Sequence, residues 1–495
     1  MTENAAALII LVPLMASFIN LVVGLRWKEV CYPLTVATLG ATVLLSFSII
    51  QTVISKGTIT YEFAGWAPPW GIAYVIDHLN AFMLAIVSFI GLVVSVYSKK
   101  SIEKDLPKKT AHFYTLFLLL VAGLLGILAT GDAFNLFVFL EISSLAGYAL
   151  IAVGDDRAPL ASFNYVIMGT IGACFYLLGV GYLYIATGSL NMADLAGLLP
   201  NLYGSKVVLG AFAFMIVGVA IKIAFFPLHK WLPDAYTHAP SAVSAFVSST
   251  MTKVGAYVMI RIMFTVFEPQ FSTEILPASA MLGWLAVAAM LYGCVRAIAQ
   301  TDAKRMLSYI IIAEVGYIVM GVSVGNRMGF TGAVLHILND AFMMACLFLA
   351  VGAVEYKTGT RSLNSFGNLY KKMPVTMAAI TIGGLSIVGI PPTAGFFSKW
   401  YLVLGAIGAG QWVFAAALLI SSLLTAVIFF KILVNIYFGP QPAADLQGNG
   451  AAVISEAPVS MLFPISIMAA GVLSLGFLSG KIISSVIQFT VPGGF

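Results

Sequence analysis

About fourteen apolar runs of roughly 18 to 30 residues follow one another along this chain. Each is long enough to cross roughly 30 Å of hydrocarbon at 1.5 Å per residue. They occupy residues 5–25, 30–54, 73–97, 111–130, 132–152, 161–186, 205–228, 241–264, 278–299, 306–324, 329–353, 375–404, 411–438 and 458–488. Within a bilayer every backbone polar group must be satisfied internally, and runs of this length do so as helices. The expected fold is therefore an all-α integral membrane protein with about 14 transmembrane helices. The composition agrees: 60% of residues are hydrophobic and 9% charged, against about 25% charged in soluble domains.

The net charge of +5 says less than its distribution. Loops joining odd-numbered to even-numbered spans hold most of the Lys and Arg, among them Arg26, Lys99, Lys100, Lys108, Lys109, Arg305, Arg361 and Lys371. The opposite loops hold only Lys56, Lys206, Arg261 and Arg327. By the positive-inside rule the first set faces the cytoplasm and both termini lie outside it. The segment from Lys99 to Lys109 reads as a short cytoplasmic loop and topology anchor, and the Trp- and Pro-rich stretch from Tyr61 to Asp77 as a cap on the opposite surface. Cys31, Cys174, Cys294 and Cys346 are scattered singly, without a C-x-x-C pair, so neither an iron–sulfur cluster nor a zinc site is indicated. The N-terminus lacks a signal peptide's positive region, and the first run reads as a retained span.

Against this background the intramembrane charges stand out. Span five places Glu141 well inside an apolar helix, with Asp132 at the helix start. An isolated carboxylate there costs roughly 2.5–3.5 kcal/mol on insertion scales, so Glu141 should be paired, hydrated or protonated. Its competing role is to fix a helix interface. Span seven carries Lys222 five residues before Pro227, which lacks a backbone donor and interrupts the helix. A break at membrane depth is tolerated where it is buried in protein or lines a wet cavity, and Glu141 is the expected partner of Lys222. His229, Asp234 and His238 follow the break and suit a polar relay at the cytoplasmic edge better than a metal site, because they fall in a proline-broken segment. Span eight brings a run of hydroxyl residues and then Lys253 near its midpoint, with no acid in its own helix.

The second half repeats the plan. Span ten holds Glu314, span twelve breaks at Pro391 and Pro392 before Lys399, and span thirteen carries Lys431 as span eight carries Lys253. Blocks of five spans have opposite topologies because five is odd, and paired broken helices mark a transport pathway. The expected organisation is a three-helix segment at 1–110, inverted repeats at 111–264 and 278–438, and span fourteen within 439–495. Between the breaks, His336 and Asp340 stand four residues apart on one helical face, suited to a proton relay or to a hydrogen-bonded pair joining two helices.

These residues carry a specific resemblance. Glu141 in Phe-Leu-Glu, Lys222 with Phe-Pro-Leu-His-Lys-Trp-Leu-Pro-Asp-Ala, the following Ala-Pro-Ser, Lys253, and Gly-Ile-Pro-Pro with Lys399 resemble the antiporter-like subunits of respiratory complex I, membrane-bound hydrogenases and Mrp-type sodium/proton antiporters. The resemblance covers nearly the whole chain. It is strongest to the D-type member of the Mrp antiporters, or its counterpart in hydrogenase-type complexes; Lys399 disfavours the complex I type with glutamate there, and Asp340 follows the D-type habit. Met344 departs from the pattern, standing where many members have lysine.

The resemblance implies proton translocation along Glu141, Lys222, Lys253, His336 and Lys399, with Asp132, His229, Asp234, His238, Glu314, Asp340 and Lys431 in support. It implies other membrane subunits of an antiporter or redox complex as partners, protons and a candidate sodium ion as cargo, a cell-membrane location, no cofactor, no nucleic acid and no enzymatic activity of the chain's own. The rival readings are a quinone- or haem-binding electron-transfer subunit, for which five histidines and no cysteine cluster offer little, and a non-conducting scaffold.

Overall fold

The structure, a computed structural model, describes residues 2–155, 157–440, 455–493 and 495. Two long helices, α1 (Thr2–Gly24) and α2 (Lys28–Lys56), lead into an antiparallel hairpin of β1 (Ile59–Glu62) and β2 (Ala73–Ile76), with Ile59 opposite Ile76. There follow α3 (His78–Asp105), α4 (Thr110–Ala129), α5 (Ala133–Ala152), α6 (Ala158–Thr187) and the short α7 (Met192–Leu198). Then come α8 (Lys206–Lys222), α9 (Trp231–His238) and α10 (Ser241–Arg261), which runs on as a π-helical turn over Ile262–Val266. The remainder comprises α11 (Ala278–Ile298), α12 (Ala303–Ser323), α13 (Arg327–Thr358), α14 (Pro374–Val388), α15 (Ala394–Gly408), α16 (Trp412–Phe438) and α17 (Val459–Ser485).

Twelve helices among the described residues are long and apolar enough to cross a membrane. The expected span twelve is delivered as two shorter helices, α14 and α15; the expected span seven ends its helix early, α8 stopping at Lys222, and the short α9 follows beyond the expected end at 228. The centre is formed by α10, α12 and α13, which are almost wholly enclosed. The outer helices turn large apolar side chains outward, such as Leu44, Phe163, Ile185, Leu423 and Phe430. A soluble monomer rarely exposes a contiguous apolar surface of this kind; here it faces hydrocarbon, and the chain is a multi-pass membrane protein.

Three boundaries differ from expectation. Residues 73–76 are not the start of a helix but strand β2, whose β-branched and aromatic residues pair with β1. Helix α3 starts behind Asp77, whose carboxylate accepts from Leu79 N (2.9 Å) and Asn80 N (3.2 Å), while Asn80 Oδ1 accepts from Asp77 N, a reciprocal cap. The segment from Lys99 is not a loop, because α3 continues to Asp105. Arg261, expected in a loop, ends α10 and pairs with Asp77 at 2.6 Å. Of the expected C-terminal unit at 439–495, residues 441–454 lie outside the described residues.

The two halves share a local motif on opposite surfaces. Asp132 caps α5 by accepting from Asn135 N at 2.7 Å, and Asp302 caps α12 by accepting from Arg305 N at 3.0 Å. Each capping strand is stitched to the chain leaving the next helix: Ala133 N to Leu190 O and Met192 N to Gly131 O, and correspondingly Ala303 N to Arg361 O and Leu363 N to Thr301 O, all at 2.8–2.9 Å. The helices entering these stitches, α6 and α13, both end in left-handed glycines, Gly188 and Gly359. The first stitch lies beside the hairpin, where Tyr74 bridges to Thr130; the second lies on the surface carrying most of the basic residues.

Candidate functional site

The two helix breaks are built alike. Helix α8 stops at Lys222, and the chain passes through Ala224 in the left-handed region (φ 53°) before Pro227. Helix α14 stops at Val388 with Gly389 at φ 91°, before Pro391 and Pro392. A helix end leaves carbonyls without intrahelical donors. At the first break Trp231 Nε1 donates to Ile221 O at 3.0 Å. At the second, Lys399 Nζ itself donates to Ile387 O at 2.6 Å, placing an ammonium at the negative end of a half-helix.

Four stations follow from these breaks. At the first, Lys222 Nζ lies 3.3 Å from Glu141 Oε1 and donates to Ser144 Oγ (2.8 Å) and Tyr148 Oη (3.4 Å). Positions 141, 144 and 148 share one face of α5 by helical spacing. Tyr148 packs edge-on against Tyr165, which stacks on Trp231 at 3.9 Å between ring centres, so the indole that caps the break also braces this station. A cavity of about 30 Å³ touches Lys222, Ser144, Met251, Val254 and Gly255. That is room for one or two waters between the first lysine and the helix of the second.

At the second station Lys253 Nζ lies 2.6 Å from Asp340 Oδ2 and donates to Ser248 O at 2.7 Å, with side chains 1% and 0% exposed. The acid that α10 lacks is supplied by α13. At the third, His336 Nε2 lies 3.0 Å from Glu314 Oε2, both fully enclosed, and His336 Nδ1 shares a hydrogen with Ser398 Oγ at 2.9 Å. Neither ion pair has the alignment of a hydrogen bond, and the carboxylate oxygens of Asp340 and Glu314 keep open valence. The fourth is Lys399, which donates also to Ser422 Oγ (3.2 Å) and stands 4.5 Å above the Tyr317 ring. Tyr317 packs edge-on to His336 and bonds Ser421 at 2.7 Å.

The structure thus pairs Glu141 with Lys222 in a partly enclosed site, and Lys253 with Asp340 and His336 with Glu314 in fully buried ones, with Lys399 buried beside Ser398. His336 and Asp340 are not each other's partners; one face of α13 sends them to different neighbours, α12 and α10. Other expected members stand apart. Lys431 is exposed on α16, at the flank of the face that buries Ser421, Thr425 and Ile428, and borders an apolar cavity of about 380 Å³. Asp234 pairs with Arg305 at 3.0 Å in an exposed bridge. His229 is buried between Phe226 and Tyr292, and Asp132 is spent on its helix cap.

His238 joins a cluster that sequence spacing does not reveal. Its Nδ1 meets Asp155 Oδ2 at 2.8 Å; Arg361 reaches Asp155 (3.2 Å), Asp302 (3.0 Å) and Glu355 (3.6 Å); Lys304 pairs with Glu355 at 2.8 Å. These partners are separated by up to 206 positions, and their basic members look in sequence like ordinary loop charges. Burial raises a carboxyl's pKa, but at Asp155 the bond to His238 and the Arg361 charge outweigh it and hold the group below its ordinary value. Among the described residues no group of three His, Cys, Asp or Glu is placed to hold a metal ion.

A family model described as NADH:quinone oxidoreductase/Mrp antiporter, TM, matches residues 130–425. The chain is 48% identical to a protein named NADH-quinone oxidoreductase subunit N from Desulforudis audaxviator (strain MP104C), over 99% of both chains. It is 34% identical to the D subunit of the Na(+)/H(+) antiporter of Alkalihalophilus pseudofirmus, covering 90% of this chain and 88% of that one. It also matches a chain of the Mrp complex from Dietzia sp. DQ12-45-1b with a TM-score of 0.88 at 27% identity, over 98% of this chain and 96% of that one.

Proposed function

The chain belongs to the NADH:quinone oxidoreductase/Mrp antiporter membrane family, and on that premise we propose that it carries protons as the D-type subunit of a multi-subunit cation/proton antiporter. The observation that supports this most is the succession of three acid–base pairs, Glu141–Lys222, Lys253–Asp340 and His336–Glu314, followed by the buried Lys399. Buried intramembrane charges are expensive, and they mark ion pathways and proton relays.

The geometry suggests how a proton advances. With an effective dielectric near 20, a unit charge pair at 3.3 Å attracts by about 5 kcal/mol, falling to about 2 at roughly 8 Å. Swinging Glu141 out of contact therefore weakens the hold of Lys222 on its proton by about 3 kcal/mol, roughly a hundredfold in occupancy. Glu141 is a quarter exposed while Lys222 is enclosed, so the acid is the partner free to move. The released proton passes the small cavity, which has room for one or two waters, to Lys253, crosses Asp340 and His336 on successive turns of α13, and reaches Lys399 beside Ser398. The expected direction is from the cytoplasm inward at the Lys222 end and outward at Lys399.

In this reading the basic surface faces the cytoplasm, both termini lie outside, and residues 111–264 and 278–438 are the two inverted repeats. Other membrane subunits cover part of the apolar exterior. The chain moves protons between its own side chains without redox or group-transfer chemistry; any redox step belongs to a partner. The name of the 48% identical relative favours a second reading, in which the same series is driven by a redox module instead of a sodium gradient.

The deciding experiment reconstitutes the complex with its partner subunits and follows proton and sodium fluxes. Lys253→Ala should abolish proton movement. Full flux in that variant would leave the chain a scaffold. Proton flux that ignores sodium but follows electron transfer would select the redox-driven reading.

A further inference from the structure

One buried ion pair plays no part in the series from Glu141 to Lys399. Lys304 Nζ lies 2.8 Å from Glu355 Oε2, with side chains 1% and 28% exposed, and Ser241 donates to the same oxygen at 2.8 Å. The pair sits at a polar cavity of about 320 Å³ that opens on the basic surface, bordered also by Lys104, Asp105 and Arg361. Behind it the Tyr97 hydroxyl is fully enclosed and has no hydrogen-bond partner. A Cβ at Gly352 would stand 2.6 Å from that hydroxyl and 3.1 Å from Ser241 Oγ, so both oxygens border the gap that the glycine leaves.

From this point α10 leads inward. Ser241, Ser244, Ser248 and Thr252 recur at intervals of three and four residues, on one helical face. The Lys253 side chain turns back toward the start of its helix and donates to Ser248 O. Its ammonium is therefore about two turns, roughly 10 Å, below Ser241. Thr252 Oγ1, Ser88 Oγ on α3 and the Asp340 oxygens are further enclosed atoms without hydrogen-bond partners. Buried polar atoms left open in this way are satisfied by ordered water.

We propose that Lys304–Glu355 is a proton-collecting mouth, and that water held by the Tyr97 hydroxyl and the hydroxyl face of α10 carries protons from it directly to Lys253–Asp340, bypassing Lys222. Glu355 takes up a proton from bulk water and passes it inward, while the Lys304 and Arg361 charges stabilise the carboxylate left behind. This inference rests on the proton-carrying reading above.

The test introduces Ser241→Cys in a Cys174→Ser background, which removes the exposed native thiol, and uses the whole complex in oriented liposomes. Each sample is compared before and after treatment with the membrane-impermeant reagent methanethiosulfonate-ethyltrimethylammonium. Reagent on the basic surface should slow proton flux by about tenfold or more, dithiothreitol should restore it, and reagent on the other surface should do nothing. Glu355→Gln should slow flux comparably and Glu355→Asp recover part of it. Full flux after complete labelling, or no labelling from the basic surface, overturns the mouth. If Lys253→Ala nonetheless abolishes flux, the mouth alone falls; if that variant also conducts, the proton-carrying reading falls with it.

Discussion

Lys253 on α10 and Asp340 on α13 meet at 2.6 Å in a site closed to solvent on every side, and each is the other's sole counter-charge at that distance among the described residues. Breaking a buried pair by removing one partner typically costs about 3–5 kcal/mol, whereas replacing both by apolar residues is often neutral. Lys253→Met or Asp340→Leu alone should therefore lower the melting temperature of the detergent-solubilised complex, and the double variant should recover it. Proton flux should stay lost in all three. Recovered flux in the double variant would show that the pair only holds helices together.

Glu141→Gln keeps the shape of the first station and leaves Ser144 and Tyr148 bound to Lys222. The expected result is near-normal thermal stability, with the proton flux that enters through Lys222 (the flux left after labelled Ser241→Cys closes the other inlet) down by about a hundredfold, the scale of a lost acid–base group. Flux assays on paired wild-type and variant liposomes check this.

Gly389 holds φ at 91°, and an added Cβ would press on Lys399 Cδ at 3.3 Å. Gly389→Ala should cost about 1–2 kcal/mol for the left-handed backbone and slow flux by displacing Lys399. Ala224 already bears such strain at the other break, and Ala224→Gly should raise the melting temperature.

Acid should loosen the Asp155 cluster. Its folded pKa is depressed, so its contribution to stability is complete above the unfolded value of about 3.9 and is lost as pH falls through the folded value. Between about pH 5 and pH 3 the melting temperature of the wild type should fall more steeply than that of Asp155→Asn, which should start lower at neutral pH. Parallel curves would remove Asp155 from the account.

What the sequence conveys about this site follows membrane depth. A carboxylate or lysine inside an apolar run, and prolines that interrupt such a run, are costly enough to be read directly, and Glu141, Lys222 and both breaks are found that way. Helical spacing shows that His336 and Asp340 share a face but not which helices lie opposite. It likewise gives no sign that α16 turns Lys431 outward, since a helix apolar all round has no preferred face to read. Lys304, Glu355 and Arg361 lie at span ends, where charges usually mark only topology, and their pairing depends on contacts between distant parts of the chain. Residues 73–76 are apolar enough to extend a helix, and only their pairing with 59–62 makes them a strand.

The twin stitches at Asp132 and Asp302 bear on tempo. A framework pinned by matching backbone bonds at both faces resists the rigid-body rocking by which many carriers expose a site alternately, a swing on the microsecond-to-millisecond scale. What remains free is small: a glutamate rotamer, a few waters, the reach of a lysine. The chain should therefore behave less like a turnstile than like a wire with switches, its throughput set by how often those switches close and not by the motion of the protein around them.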